Sequence, residues 1–141
     1  MILPDVNPLV YAFRPDAVHH EVSHSWLASV LSDPAPFGVS PMILAAVVRL
    51  TTNRRVFAEP SSLEQAFEFC DYLLTHPNCR VIEPGERHWG IFRDLCIATD
   101  TSGGHTTDTW YAALAIEWNC EWISYDSDFA RFPGLKWRRP V

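Results

Sequence analysis

The chain has 141 residues, 48% of them hydrophobic and 20% charged, which is enough length and apolar content for one domain with its own core. Its 17 acidic residues outnumber 11 Lys and Arg, and the resulting net charge of −6 argues against binding nucleic acid through overall positive charge. No apolar run approaches the roughly 18 residues of a membrane span, and the first residues do not have the pattern of a signal peptide, so we expect a cytoplasmic protein without a membrane segment.

Strands and helices are predicted to alternate along the chain. An apolar run predicts a strand over 2–6, and Asn7 followed by Pro8 is typical of a capped helix start. Apolar residues at helical spacing predict a second helix over 19–31. The remaining predicted elements are a strand over 37–39, a helix capped by Ser40 and reaching Leu50, a helix opening at Ser61 or Ser62, a strand over 80–82, a helix over 86–98, a helix over 108–118, and strands over 121–124 and 135–138. The apolar side of the helix that opens at Ser61 or Ser62 is predicted to consist of Leu63, Phe67, Cys70, Leu73 and Leu74.

This alternation favours a parallel sheet covered by helices on both faces. We therefore predict an α/β fold, a three-layer α/β/α arrangement with a central, mainly parallel sheet, in one domain spanning residues 1–141. Pro4 is unusual in a central strand because proline has no N–H for the ladder. It predicts a bulge or an unpaired edge at that position.

Four aspartates are expected to meet at one end of this sheet. Sites in open parallel sheets lie at the carboxyl ends of the strands. Asp5 ends the first strand, Asp126 and Asp128 follow the strand over 121–124, and Asp108 begins the helix that leads to that strand. A carboxylate in an apolar strand is costly unless it is paired or bound to a metal. Asp108 also suits a helix cap, and Asp126 and Asp128 also suit a turn.

Clustered carboxylates indicate a cation site. They keep their charges when a cation lies among them, and oxygen ligands favour Mg²⁺, with Mn²⁺ as the alternative. The chemistry that such an ion supports is attack of water on a phosphodiester. Asn7 is expected either to hydrogen-bond a site carboxylate or a metal-bound water, or to cap its own helix. Arg49 is expected either to bind substrate phosphate or to bridge neighbours on the helix surface.

The sequence resembles the PIN-domain ribonucleases, specifically the VapC-type toxins of bacterial toxin–antitoxin pairs, almost from end to end. The resemblance is carried by Leu3-Pro4-Asp5-Val6-Asn7, Ser40-Pro41, Thr107-Asp108 with Ala112-Ala113-Leu114-Ala115, and Ser124-Tyr125-Asp126-Ser127-Asp128-Phe129. It implies a Mg²⁺- or Mn²⁺-dependent endoribonuclease that acts on RNA, forms a homodimer and is neutralised by a cognate antitoxin protein. It also implies that Asp5, Asp108 and Asp126 are the catalytic metal ligands, with Asp128 in support.

One family position departs from this pattern. The family usually has a Glu three residues before the Arg of the third helix, where this chain has Ala46 before Arg49. Residues 42–58 contain no acid at all. We therefore expect weaker metal binding. The alternative function is a catalytically impaired PIN-like module that binds RNA or a protein.

Two other patterns in the sequence are typical of different functions. His20-Glu21-Val22-Ser23-His24 matches the H-E-x-x-H motif of zinc proteases, although an α/β sheet domain is a poor context for that activity, and a solvated His-rich helix flank is the alternative. A receiver domain would need an aspartate after the third strand, where this chain has Glu83.

The sequence also suggests surfaces for RNA and for protein partners. The best basic segment for RNA is Lys136-Trp137-Arg138-Arg139, followed by Arg54-Arg55. The aromatic residues Phe13, Trp26, Phe37, Trp89 and Phe92 are expected either in the core or on antitoxin and dimer surfaces.

Overall fold

Short parallel strands form the centre of the computed structural model, which describes residues 1–141. The predicted α/β fold is confirmed, with six helices around the strands. The strands are β1 Ile2–Pro4, β2 Phe37–Val39, β3 Cys79–Val81, β4 Glu121–Ile123 and β5 Lys136–Arg138; the helices are α1 Val6–Phe13, α2 His20–Ser32, α3 Pro41–Thr51, α4 Leu63–Leu74, α5 His88–Thr99 and α6 Thr106–Glu117, with short 3₁₀ turns at Gly103–His105 and Ser127–Arg131.

The strands form two parallel ladders that lie edge to edge. One has the order β1-β4-β5 and the other pairs β2 with β3. They meet where β1 lies against β2, and a Cβ at Gly38 would come within 3.2 Å of the Ile2 carbonyl oxygen and 2.9 Å of the Ile82 side chain. A residue without a side chain at position 38 therefore allows this close contact.

Pro4 lies at the edge of the three-stranded ladder. The next residue, Asp5, donates its backbone N–H to the Ile123 carbonyl of β4 at 2.9 Å. Because neighbouring residues of a strand alternate in the direction of their ladder bonds, the Pro4 nitrogen faces away from β4. The predicted unpaired edge is confirmed, and proline costs no ladder bond there.

The predicted start of the first helix was wrong. Strand β1 ends at Pro4, and Asp5 rather than Asn7 caps α1, since its carboxylate accepts the Val6 N–H at 2.7 Å. Helix α6 begins at Thr106, so Asp108 lies in its first turn rather than at the cap. Asp5 thus combines a capping role with a place at the end of a strand.

Helix α4 corrects a second expectation. It begins after Ser62, which forms a capping box with Gln65, as one of the two predicted starts required. Its predicted apolar side includes Leu63 and Phe67, yet both are exposed. The helix spacing identified the buried Cys70 correctly, but the buried side of α4 also includes Ala66 in its first turn, and Phe67 lies outside that side.

The core lies around β4. Trp122 is fully buried and packs between Tyr111, at 5.7 Å between ring centroids, and Phe129, at 5.3 Å. The face of α6 built from alanines at 112, 113 and 115 is fully buried, and its small side chains allow the helix to approach the sheet closely. None of the helices has the length and apolar character needed to cross a membrane.

The aromatic residues expected in the core or on partner surfaces differ in their exposure. Trp26 and Phe37 are buried in the core, whereas Phe13 and Phe92 are half-buried and Trp89 is exposed.

Candidate active site

Asp5 lies at the carboxyl end of β1 with only 7% of its surface exposed. One carboxylate oxygen accepts the Val6 N–H at 2.7 Å, and the other accepts the Ser124 hydroxyl at 2.6 Å. The same Ser124 oxygen accepts the backbone N–H of Asp126 at 3.0 Å. A continuous chain of hydrogen bonds therefore joins the ends of β1 and β4.

Ser124 is a site residue that our sequence reasoning did not single out. It is fully buried, and it follows β4 directly. The available signal was a small hydroxyl side chain at the end of an apolar strand, two residues before Asp126. Its role depends on a partner 119 positions away in the chain, which local sequence does not reveal.

Burial and neighbouring charge both act on Asp5. Its pKa is raised from 3.8 to about 6, chiefly by burial and additionally by the charges of Asp108 and Asp126, against the hydrogen bonds from Ser124 and Val6 that lower it. In the absence of a cation, the carboxyl of Asp5 therefore resists losing its proton.

Asp108 lies close enough to the other aspartates for their charges to act on its carboxyl group. Burial raises its pKa, and the charge of Asp126, followed by that of Asp128, adds to the effect. Arg131 and His105 act in the opposite direction. The four predicted aspartates thus act on one another at the carboxyl end of the sheet, and we call them the acidic rim.

Asp126 and Asp128 both belong to the acidic rim, and they are also joined within one turn. The Asp126 carboxylate accepts the backbone N–H of Asp128 at 2.9 Å and caps the turn over Ser127–Arg131. Asp126 is half-buried and Asp128 is exposed. The turn chemistry expected from the sequence is therefore present in the same residues that contribute to the acidic rim.

Asn7 holds the loop that carries Asp126. Its side-chain oxygen accepts the backbone N–H of Tyr125 at 3.1 Å, so it does not cap α1. The Tyr125 hydroxyl hydrogen-bonds Ser23 at 2.7 Å, and its ring stacks on His19 at 4.6 Å between centroids. Helices α1 and α2 together fix the loop after β4.

Tyr111 is a second residue that the sequence reasoning missed. It lies one helical turn after Asp108 and is almost fully buried. Burial raises its pKa, the charges of Asp5 and Asp108 add to the rise, and Arg49 opposes it. Its phenol therefore lies within reach of the charges of both the acidic rim and Arg49. The helical spacing of three from Asp108 was the available signal.

Helix α3 contributes no acid to the rim. Ala46 is 8% exposed, and Arg49, one turn later, is exposed. Arg49 is thus accessible to a substrate, as one of its two predicted roles requires.

Comparison with known proteins identifies the family. The sequence profile of the PIN domain matches residues 2–135. This chain belongs to the PIN-domain family. It is 43% identical over 141 residues to ribonuclease VapC43 of Mycobacterium tuberculosis, covering 100% of this chain and 96% of that protein. It is 39% identical over 140 residues to ribonuclease VapC25 of the same organism, covering 99% of both chains.

Solved structures share the PIN fold at low sequence identity. VapBC2 from Rickettsia felis, bound to a promoter DNA fragment, matches with a TM-score of 0.72 at 19% identity and covers 99% of this chain and 98% of that chain. The toxin VapC20 from Mycobacterium tuberculosis, described as cleaving the sarcin-ricin loop, matches with a TM-score of 0.69 at 16% identity, covering 96% and 99%.

The carboxylate oxygens of the acidic rim are ligands that suit a hard cation such as Mg²⁺. All four side chains are carboxylates, and the charges among them raise the pKa of Asp5 and of Asp108, a repulsion that a bound cation would relieve. As these side chains stand, no group of three or more His, Cys, Asp or Glu is close enough to hold a metal ion. Metal ligation by the rim therefore stays a prediction, one that needs ligand movement or bridging water.

The H-E-x-x-H segment has a structural setting of its own. His20 and His24 lie on α2 with ring centroids 5.2 Å apart, and the His20 Nδ1 donates to the Tyr11 carbonyl at 2.8 Å. No third ligand joins them in the structure.

The basic segment at the end of the chain is partly engaged within the PIN domain. Lys136 bonds the Asn119 side chain at 2.9 Å, and Arg138 pairs with Glu121 at 2.8 Å. Both partners lie towards the amino end of β4, away from the acidic rim.

Proposed function

We propose that this PIN domain is the toxin of a toxin–antitoxin pair, a metal-dependent endoribonuclease that cleaves RNA and is neutralised by a cognate antitoxin protein. The observation that carries the proposal is the buried Asp5, bonded to Ser124 and facing Asp108 and Asp126 at the carboxyl end of the sheet. Two relatives similar over nearly the whole chain are named ribonucleases.

Asp5, Asp108 and Asp126 would hold Mg²⁺ or Mn²⁺, with Asp128 in support. When bound, such an ion acts as a Lewis acid, making water a better nucleophile and offsetting charge on the phosphodiester. Ser124 orients Asp5 through its hydrogen bond, and Asn7 keeps the loop of Asp126 in place. Arg49 binds a substrate phosphate beside Tyr111.

The antitoxin partner is supported by the solved complexes. The structures from Rickettsia felis and from nontypeable Haemophilus influenzae are both of VapBC pairs. A homodimer and a cytoplasmic location stay predictions from the resemblance and from the sequence.

A second function, an RNA- or protein-binding module without catalysis, is favoured by Ala46. The usual Glu is absent, and the rim has no carboxylate from α3. Fewer anionic ligands reduce the affinity for a divalent cation.

Cleavage of a panel of structured RNAs by antitoxin-free protein separates the two functions. The nuclease should cleave with Mg²⁺ or Mn²⁺ and stop with EDTA or on Asp5→Asn. The matched control is Asp94→Asn, at an exposed position on α5, which should retain activity. Binding of RNA by folded protein, with no cleavage of any RNA under either metal, would support the binding module instead.

A further inference from the structure

A polar cavity adjoins the acidic rim between residues 99–105 and the turn over Ser127–Arg131. Its volume is about 340 Å³, and no hydrophobic side chain lines it. Ligand sites have volumes of roughly 300–1,000 Å³. Asp128 belongs to both the cavity and the rim, so a molecule in this cavity would touch the site of reaction. We call it the flank cavity.

The backbone shapes one wall of the flank cavity. Asp100 ends α5 in the left-handed region, with φ 49°, and Gly103 follows with φ 61°. The hydroxyls of Thr99 and Thr101 hydrogen-bond each other within this turn. The chain therefore bends back on itself and presents the exposed side chains of Asp100 and Ser102 to the cavity.

Two basic side chains, Arg131 and His105, line the flank cavity. The Arg131 guanidinium rests 4.3 Å from the centroid of the Phe132 ring and donates to the Asp128 carbonyl at 2.8 Å. These two contacts restrain the guanidinium, and its other N–H groups stay free to donate to a ligand. Arg49, by contrast, does not line this cavity, and its charge acts on Tyr111.

This distribution of charge matters for an anionic substrate. A phosphodiester chain is repelled by carboxylates, and basic side chains that contact its phosphates offset this repulsion. In the flank cavity, basic and acidic groups are mixed: Arg131 and His105 suit a phosphate, whereas Asp100 and Ser102 suit a sugar hydroxyl.

We propose that the flank cavity binds the RNA nucleotide next to the scissile phosphate, with Arg131 and His105 on its phosphate and Asp100 and Ser102 on its ribose 2′-hydroxyl. This inference rests on the proposed ribonuclease function and assigns a subsite to it. The 2′-hydroxyl is the group by which a protein distinguishes RNA from DNA at a given position. The subsite therefore selects for RNA as well as placing the strand across the rim.

The first test measures binding without turnover. In an Asp5→Asn background with Mg²⁺, Kd is determined for a fluorescent single-stranded RNA and for DNA of the same sequence, over a range of salt. Arg131→Gln should weaken RNA binding about tenfold, as expected for the loss of one charge-assisted phosphate contact. The slope of log K against log salt should fall by about 0.7 to 1.

Arg80→Gln is the charge-matched control for this test, and Ser102→Ala tests the proposed contact with the ribose. Arg80→Gln removes the same charge at the amino end of β3, where Arg80 donates to the Pro77 and Cys79 carbonyls, and it should leave Kd unchanged. Ser102→Ala, at an exposed position, should reduce the preference for RNA over DNA without altering the DNA Kd. Circular dichroism and thermal melts establish that each variant is folded.

The second test measures kinetics in the Asp5-containing protein. Arg131→Gln should raise KM for RNA about tenfold, with kcat within about twofold, since the contact acts on binding. If Arg131→Gln and Ser102→Ala both behave like Arg80→Gln while wild type cleaves RNA, the subsite is wrong and the nuclease stands. If wild type never cleaves but binds RNA through Arg131, the nuclease is wrong, and the flank cavity is an RNA-binding site of a module without catalysis rather than a subsite of a nuclease.

Discussion

Asp5 carries its carboxylate in a buried position, where losing the proton costs free energy. Its pKa is about 6 in the folded protein, against 3.8 as the ordinary value. Because the folded state binds the proton more tightly, stability is greatest below pH 4 as far as Asp5 is concerned and falls as pH rises towards 6. The loss is on the order of 3 kcal/mol at neutral pH. This cost is typical of a group selected for function rather than stability.

Replacing Asp5 with Asn should therefore stabilise the metal-free protein at pH 7.5 and have little effect at pH 4. The amide is neutral, and its oxygen can still accept the Val6 N–H. Urea unfolding in EDTA at both pH values measures the difference, with Asp94→Asn as the exposed control. Equal stability of Asp5→Asn and wild type at pH 7.5 would contradict the buried-charge account.

Ala46 offers a gain-of-function test at the residue scale. Ala46→Glu supplies the carboxylate that the family usually has, but it buries a charge at a position only 8% exposed. We expect it to lower stability without metal by a few kcal/mol and to lower Kd for Mn²⁺.

The neighbouring Ala45 is exposed on the same helix, so Ala45→Glu is the matched control. Calorimetric titration with Mn²⁺ gives both affinities. No difference in Mn²⁺ affinity between the two variants would place position 46 outside the metal site.

At the scale of elements, the loop after β4 is held from two helices. Asn7 of α1 bonds Tyr125, and Ser23 of α2 bonds the Tyr125 hydroxyl. The proposed metal ligands lie directly after β1, in the first turn of α6 and at the start of the 3₁₀ turn. Correct alignment therefore depends on how these elements pack as well as on the aspartates.

Asn7→Ala should loosen this loop and reduce activity more than stability. It leaves a half-buried backbone N–H without its partner, which costs about 1–3 kcal/mol. Hydrogen exchange of the Tyr125 amide should become faster, and RNA cleavage should fall. Asn78→Ala removes a comparable side-chain bond, to Asp33 at 3.1 Å, far from the rim. If both variants lose activity equally, the loop has no special role.

At the scale of the whole molecule, divalent metal should offset the charge of the rim. The protein has a net charge of −6, and three of its carboxylates act on one another at one point. An ion that binds only the folded state stabilises it by an amount that grows with concentration.

We expect Mg²⁺ to raise Tm at pH 7.5 and to have much less effect at pH 5, where the ion must displace the Asp5 proton. Thermal melts over a Mg²⁺ series at the two pH values measure this. NaCl of matched ionic strength, without divalent cations, controls for the screening of charges by salt. A Mg²⁺ shift of the same size at both pH values would mean that Asp5 is not a ligand.

Part of this molecule could be predicted from sequence alone. The α/β class follows from the alternation of short apolar runs and helical patterns, which is local information. The positions of Asp5, Asp108, Asp126 and Asp128 at one end of the sheet follow from strand direction. Even Pro4 indicated its unpaired edge, because proline has no N–H for the ladder.

The tertiary structure decided the rest. Ser124 joins Asp5 across 119 positions, and Asn7 reaches Tyr125 across 118, so neither bond has a local signature. Tyr111 lies within reach of the charges of the rim because α6 packs its alanine face into the core, and Phe67 is exposed because the buried side of α4 is formed by Ala66, Cys70 and Leu73. Sequence patterns report what a segment can bury or bond, whereas the pairing of distant segments determines which partner each side chain meets.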